Sequence, residues 1–119
     1  AAPLQEAGAI ALSLPRSYYQ DLADGYRARR DLLCQALDRA GFGFTVPDGA
    51  YYVMADISAF GYSDDVAFAD FLVEQIGVAV VPGSSFFSEA ERGAQQIRFA
   101  FCKRRETLEA AASRLEKLK

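Results

Sequence analysis

Arg98 stands in the middle of the run Gln96-Ile97-Arg98-Phe99-Ala100-Phe101-Cys102, and it is the most informative single residue of the chain. A guanidinium among apolar and aromatic neighbours is costly unless it meets an anion or faces a cavity. Two partners are open from the residues alone. One is a carboxylate of the same sheet region, such as Asp56 or Glu74. The other is the carboxylate of a bound ligand, for which the planar fork of Arg is better shaped than a Lys ammonium. Tyr51 and Tyr52 come next. Adjacent strand residues point to opposite faces, so one ring can pack in the core while the other lines a surface or pocket. Ser84, Ser85 and Ser88 carry hydroxyls, but the chain has no His to activate them as nucleophiles.

The missing residue types remove further chemistry. Without His, and with only Cys34 and Cys102 as thiols, there is no Ser-His-Asp triad, no Cys-His pair and no zinc cluster. Pro82-Gly83 lies in no glycine-rich loop with a following Lys, which excludes a P-loop. A chain of 119 residues, 51% hydrophobic and 24% charged, suits one soluble globular domain that needs no disulfide or metal to hold its core. A net charge of -3 and a pI of about 4.9 argue against a nucleic-acid partner. No run approaches the roughly 20 apolar residues of a membrane span, and the start lacks the basic region of a secretory signal, so a cytoplasmic location and no membrane are expected. Both cysteines are expected to be buried, reduced thiols. The chain begins without Met, and its first twelve residues read as a helix interior, as in a piece of a longer polypeptide. The three lysines, Lys103, Lys117 and Lys119, all fall within the last seventeen residues.

The elements that must position these residues follow from periodicity. Pro15 stops any helix arriving from the N-terminal side, and Ser17 with Gln20 three residues later has capping-box spacing. Leu22, Tyr26, Leu33, Leu37 and Ala40 then form one apolar stripe, with Gly41 as a left-handed cap. Arg27, Arg30, Asp31 and Asp38 fall on the solvated face. Thr45 to Gly49 predicts a short extended piece and a Pro-Asp-Gly turn. Residues 50–57 predict a strand buried on both faces. Ser63 is expected to cap a helix opened by Asp64 and Asp65 and carrying Val66, Phe68, Phe71, Leu72 and Ile76 inward, closed by Gly77. Val78 to Val81 predict a four-residue strand cut off by Pro82-Gly83. The loop from Ser84 to Gly93 holds Phe86 and Phe87, whose rings need somewhere to pack. The next strand puts Ile97, Phe99 and Phe101 on one face and Arg98, Ala100 and Cys102 on the other. A last helix from about Lys103 keeps Leu108, Ala111, Leu115 and Leu118 on one stripe. The expected fold is α+β, two layers, with a small sheet covered by helices.

Three segments carry a family resemblance: Asp48-Gly49-Ala50-Tyr51-Tyr52-Val53-Met54-Ala55-Asp56, Gly77-Val78-Ala79-Val80-Val81-Pro82-Gly83-Ser84-Ser85-Phe86, and Ile97-Arg98-Phe99-Ala100-Phe101-Cys102-Lys103. In this order and with these gaps the chain resembles the C-terminal small domain of class I/II PLP-dependent aminotransferases of fold type I. The Pro3 to Ala7 stretch and the Ser17 to Ala40 helix look like the segment leaving the large domain. The resemblance implies that residues 1–16 leave the large domain and that 17–119 form the small domain, including the interdomain helix. It places Arg98 where the family grips the substrate α-carboxylate, Gly83 to Phe86 beside the active-site entrance, and Tyr51 or Tyr52 near the substrate side chain. No catalytic, cofactor-binding or metal residue is assigned in this chain. In the family, pyridoxal 5'-phosphate is bonded to a lysine of the large domain, whereas no lysine here precedes Lys103. The resemblance therefore implies PLP in the full-length enzyme, none bound covalently by this polypeptide, and no activity from it alone. The implied partners are an amino acid, a 2-oxo acid, the large domain and, at full length, a second copy in a homodimer. Two alternatives stand beside this: a related PLP-dependent lyase or synthase, and a stand-alone ferredoxin-like regulatory or binding module. The order of elements, ending in a helix, counts against the second.

Overall fold

A computed structural model describes residues 2–118. Helix α1 spans Ala2–Leu12 and α2 spans Arg16–Ala40. Strands β1 (Gly43–Phe44) and β2 (Tyr52–Asp56) precede α3 (Asp65–Phe71), which continues as a π-helical turn over Leu72–Ile76. Strand β3 (Val81–Pro82), two short 3-10 turns, β4 (Gln96–Ala100) and α4 (Arg105–Leu115) complete the order. The sheet is antiparallel with strand order β1-β2-β4-β3. This is an α+β domain.

The register explains the two-faced character of the sheet. Tyr52 pairs with Ala100, Met54 with Arg98 and Asp56 with Gln96, while Val53 faces Phe99 and Ala55 faces Ile97 across the ladder. The second set is buried and packs with Leu33 and Leu37 of α2, Phe68 of α3, Leu72 after it, and Leu108 and Leu115 of α4. Burying each such aliphatic or phenyl side chain contributes about 1.5–3 kcal/mol. Phe42 sits where the helix and sheet layers meet, with ring centres 4.5 Å from Phe60 and 5.3 Å from Phe99. The opposite set, Tyr52, Met54, Gln96, Arg98 and Ala100, is only partly covered. Strand β2 is thus buried on one face, not on both, because α2, α3 and α4 all turn their buried apolar residues to the same side of the sheet.

Several boundaries differ from the expected ones for identifiable reasons. Pro15, in an extended conformation, occupies the cap position of α2, and Gln20 hydrogen-bonds Asp24 one turn on, so the Ser17 capping box does not form. Leu22 is exposed, and the buried part of the stripe begins near Tyr26. Asp64, not Ser63, caps α3: its Oδ1 accepts hydrogen bonds from the Val66 amide at 2.8 Å and the Ala67 amide at 3.3 Å. The first extended pair is Gly43–Phe44, ahead of Thr45. Strand β3 has only two residues, and Pro82 lies inside it, paired with Ile97. Proline fits there because β3 is an edge strand and needs no amide on its outer side. Helix α4 starts at Arg105 rather than at Lys103. The left-handed caps at Gly41 and Gly77 form as expected. The cysteines divide: Cys34 is buried, Cys102 exposed, and both are free. Among the described residues no helix is long and apolar enough to cross a membrane.

Candidate functional site

Arg98 lies at the centre of β4 on the face turned away from the helices, since its neighbours Ile97 and Phe99 occupy the core. Its guanidinium carbon lies 4.5 Å from the centre of the Phe86 ring and 5.2 Å from that of Tyr52. Such cation–π contacts contribute about 0.5–2 kcal/mol each, more when water is excluded. Ring faces attract the charge but give the in-plane N–H groups nothing to donate to. The Arg98 Nε is buried and has no hydrogen-bond partner. A donor left this way costs about 1–3 kcal/mol, more when charged.

The sheet carboxylates do not answer that demand. Asp56 Oδ1 accepts from the Ser58 amide at 2.8 Å and from the Ser58 hydroxyl, and Glu74 is exposed on the π turn. Among the described residues Arg98 takes part in no ion pair; the four pairs present join Arg27 to Asp24, Arg30 to Asp31, Arg92 to Glu89 and Arg105 to Glu109. The first of the two partners open from the sequence is therefore not realised. On the same face of the sheet a depression over β1 and β2 is lined by Phe44, Tyr52, Met54, Asp56 and Gln96; it reaches Tyr52 and Met54, the neighbours of Arg98, but not Arg98 itself. A half-covered cation with an unsatisfied donor and no carboxylate partner among the described residues is suited to receive a carboxylate.

The loop that supplies Phe86 is held at several points. Val81 pairs with Arg98 and Pro82 with Ile97. The Gly83 and Gly93 backbones then interlock, so that a Cβ on Gly83 would lie 2.5 Å from both the Gln96 and the Gly93 carbonyl oxygens. One residue on, the Ser84 amide donates to Asp65 Oδ2 at 2.7 Å. Phe86 ends the 3-10 turn Gly83–Phe86, exposed on one side and lying against Arg98 on the other. Phe87 is also largely exposed. The two rings thus do not fill a core site; one of them covers the arginine.

Of the two tyrosines, Tyr52 is the one brought to Arg98, because it shares the parity of Met54 on the open face. Tyr51 precedes β2, is exposed, and meets the site only through its edge contact with the Tyr52 ring at 5.5 Å. Its carbonyl accepts the Phe101 amide at 2.8 Å. Ala50 before it has a φ of 63°, so the left-handed position of this turn falls on alanine and not on Gly49. Sequence reasoning missed Tyr52 and Phe86 as the aromatic cover of Arg98, and Asp65 as the anchor of the loop. Strand parity carries the Tyr52 contact; the other two depend on tertiary placement.

The described residues do not fit a pyridoxal phosphate site by themselves. Lys103 lines grooves beside α2 and α4 with Leu32, Leu33 and Leu108, and Lys117 lies in the turn closing α4; Lys119 is outside the described residues. Gly83 offers no phosphate cradle, because backbone of Gly93 and Gln96 fills the space beside it. No grouping of metal-ligating side chains occurs among the described residues.

An antiparallel sheet with helices on one face and, on the other, an arginine that has no ion pair among the described residues defines a small α+β unit. The model of the aminotransferase class I and II family matches residues 1–115, and the chain belongs to that family. It is 38% identical to a probable N-succinyldiaminopimelate aminotransferase of Mycobacterium tuberculosis, over 98% of this chain and 32% of that protein. It is 37% identical to the methionine aminotransferase of Escherichia coli, over 98% of this chain and 30% of that protein. A solved structure of N-succinyldiaminopimelate aminotransferase from Mycobacterium tuberculosis superimposes with a TM-score of 0.88 at 39% identity, over 99% of this chain and 31% of that one. The chain thus spans about a third of the length of these relatives.

Proposed function

We propose that this chain is the substrate-carboxylate domain of a PLP-dependent aminotransferase that moves an amino group between an amino acid and a 2-oxo acid, with Arg98 receiving the α-carboxylate. The observation that carries the reading is that Arg98, half-covered on the open face of the sheet, has an unpartnered Nε and no ion pair among the described residues. A carboxylate is shared by the amino acid and the oxo acid, so one arginine serves both halves of the reaction. Its two oxygens match the guanidinium fork, and each charge-assisted hydrogen bond is about twice as strong as a neutral one. Tyr52 and Phe86 orient the fork and keep water from its faces. Tyr51, exposed and edge-on to Tyr52, lies near the substrate side chain.

In this reading residues 1–16 leave the large domain and 17–119 form the small domain with α2 as the bridge between the two. The exposed apolar residues Leu4, Ile10 and Leu12 of α1 support that layout, since no residue of this helix is buried within the chain. The cofactor and its lysine belong to the large domain, and the 119-residue polypeptide alone is inactive and forms no covalent bond to PLP. The whole enzyme works as a homodimer in the cytoplasm. Lyases and synthases of the same fold also need a carboxylate arginine, but the relatives named above are aminotransferases.

Arg98→Gln in the full-length enzyme is the deciding experiment. Removing a charged hydrogen-bonding partner of the substrate costs about 1.5–3 kcal/mol, which raises KM for amino acid and oxo acid alike by roughly 10- to 150-fold while PLP binding stays intact. An unchanged KM for both substrates overturns the assignment.

A further inference from the structure

We infer that Asp65 is a positioning residue for the arginine site, acting through the Gly83–Phe86 turn; the inference rests on the carboxylate reading of Arg98. Asp65 is 3% exposed, and it is the one buried charged side chain among the described residues. Burying a carboxylate is costly unless a specific interaction compensates. The positive end of α3 offsets part of that cost, since Asp65 opens the helix. That does not account for its geometry, because the helix already has a capping carboxylate in Asp64. The hydrogen bond made by Asp65 leads elsewhere, across 19 residues of sequence to the Ser84 amide at 2.7 Å.

Ser84 lies two residues before Phe86 in the turn, and its carbonyl accepts the Phe87 amide at 3.3 Å. The N-terminal end of the turn is fixed by β3 pairing and by the Gly83–Gly93 interlock. Asp65 therefore sets the direction in which the chain leaves that fixed point, and with it the place of the Phe86 ring 4.5 Å from the Arg98 guanidinium. Without the bond the Ser84 amide loses its acceptor, the turn rotates toward solvent, and one aromatic wall leaves the arginine. The carboxylate of Asp65 makes no ion pair with Arg98 among the described residues, so its influence on substrate passes through the position of Phe86.

The test compares Asp65→Ala, Asp65→Asn and Phe86→Ala in the full-length enzyme. Asp65→Ala is expected to raise KM for amino acid and oxo acid by about tenfold with kcat changed less than about threefold. Asn keeps a carbonyl oxygen for the Ser84 amide, so Asp65→Asn restores KM to within about threefold of the parent. Phe86→Ala, at an exposed position that leaves the core untouched, reproduces the rise, and adding Asp65→Ala to it raises KM no further. Hydrogen exchange of the peptide covering residues 83–87 accelerates in Asp65→Ala and not in Phe86→Ala. Parent-like KM in folded Asp65→Ala, or in Phe86→Ala if Asp65→Ala does not fold, overturns the inference. So does Asp65→Asn as damaging as Asp65→Ala, or unchanged exchange in Asp65→Ala. If Arg98→Gln raises KM and these variants do not, only the positioning role falls; if Arg98→Gln also leaves KM unchanged, the carboxylate reading falls first.

Discussion

Substituting Gly93 by Ala probes the joint on which the Phe86 turn is built. A Cβ at Gly93 would lie 2.3 Å from the Gly83 carbonyl carbon, 2.4 Å from the Gly83 oxygen and 2.4 Å from the Ser84 nitrogen. Ordinary contact begins at 3.4 Å, so the two backbones must part by 1.1 Å, the difference between 3.4 and 2.3 Å. All three atoms are main chain, and no change of rotamer relieves the clash. Overpacking of this kind costs about 1–3 kcal/mol. For a domain of this size 1 kcal/mol corresponds to roughly 3–5 °C, so thermal unfolding followed by circular dichroism should shift down by about 3–15 °C. Gly49→Ala is the control, because a Cβ there meets nothing within 4 Å. Gly41→Ala separates strain from clash: its surroundings are open, but its φ of 93° leaves a left-handed penalty of about 1–2 kcal/mol. A Gly93→Ala protein melting within about 1 °C of its parent would refute the reasoning, showing that the turn yields freely and cannot fix Phe86.

Asp64→Ala removes the acceptor for two amides at the start of α3 and should lower stability by about 1 kcal/mol in a denaturant titration, with Asp64→Asn close to the parent. Burial pushes the Cys34 thiol above its ordinary range, with Arg30 pulling it down and Asp31 up, so Cys102 should react with a thiol reagent at pH 8 while Cys34 reacts only on unfolding. Because the folded chain holds the Cys34 proton more tightly than the unfolded one, this contribution to stability is intact below the ordinary thiol range and is lost as pH rises through the folded value; Cys34→Ala should flatten that alkaline decline. Treating the 119-residue polypeptide with PLP and borohydride should give no stoichiometric adduct at one lysine, and a single labelled lysine in the mass spectrum would overturn the expected inactivity.

What was legible in the sequence were the features set by one segment alone. The alternation through Ile97, Phe99 and Phe101 places Arg98 on the opposite face, and the glycines at 41 and 77 end their helices where the apolar stripes stop. The capping residues were off by one element of local competition: Pro15 replaces Ser17, and Asp64 replaces Ser63 as hydrogen-bond acceptor. The apolar run Val78-Ala79-Val80-Val81 reads as a longer strand than it is, because pairing with β4 extends only over Val81 and Pro82. Likewise the apolar content of residues 50–57 suggests two buried faces, yet Tyr52 and Met54 look onto the open side. The Asp65–Ser84 bond and the Phe86–Arg98 contact span 19 and 12 residues, and no local pattern announces either.

The aromatic hold on Arg98 bears on the entropy of recognition. A free arginine carries roughly 2 kcal/mol of rotamer freedom, much of which a ligand must suppress when it fixes the guanidinium. Here the rings of Tyr52 and Phe86 impose that loss during folding, before any ligand arrives. In the proposed role, a carboxylate arriving at Arg98 meets a fork whose direction is already set, and more of the binding energy of its oxygens is left to act as affinity.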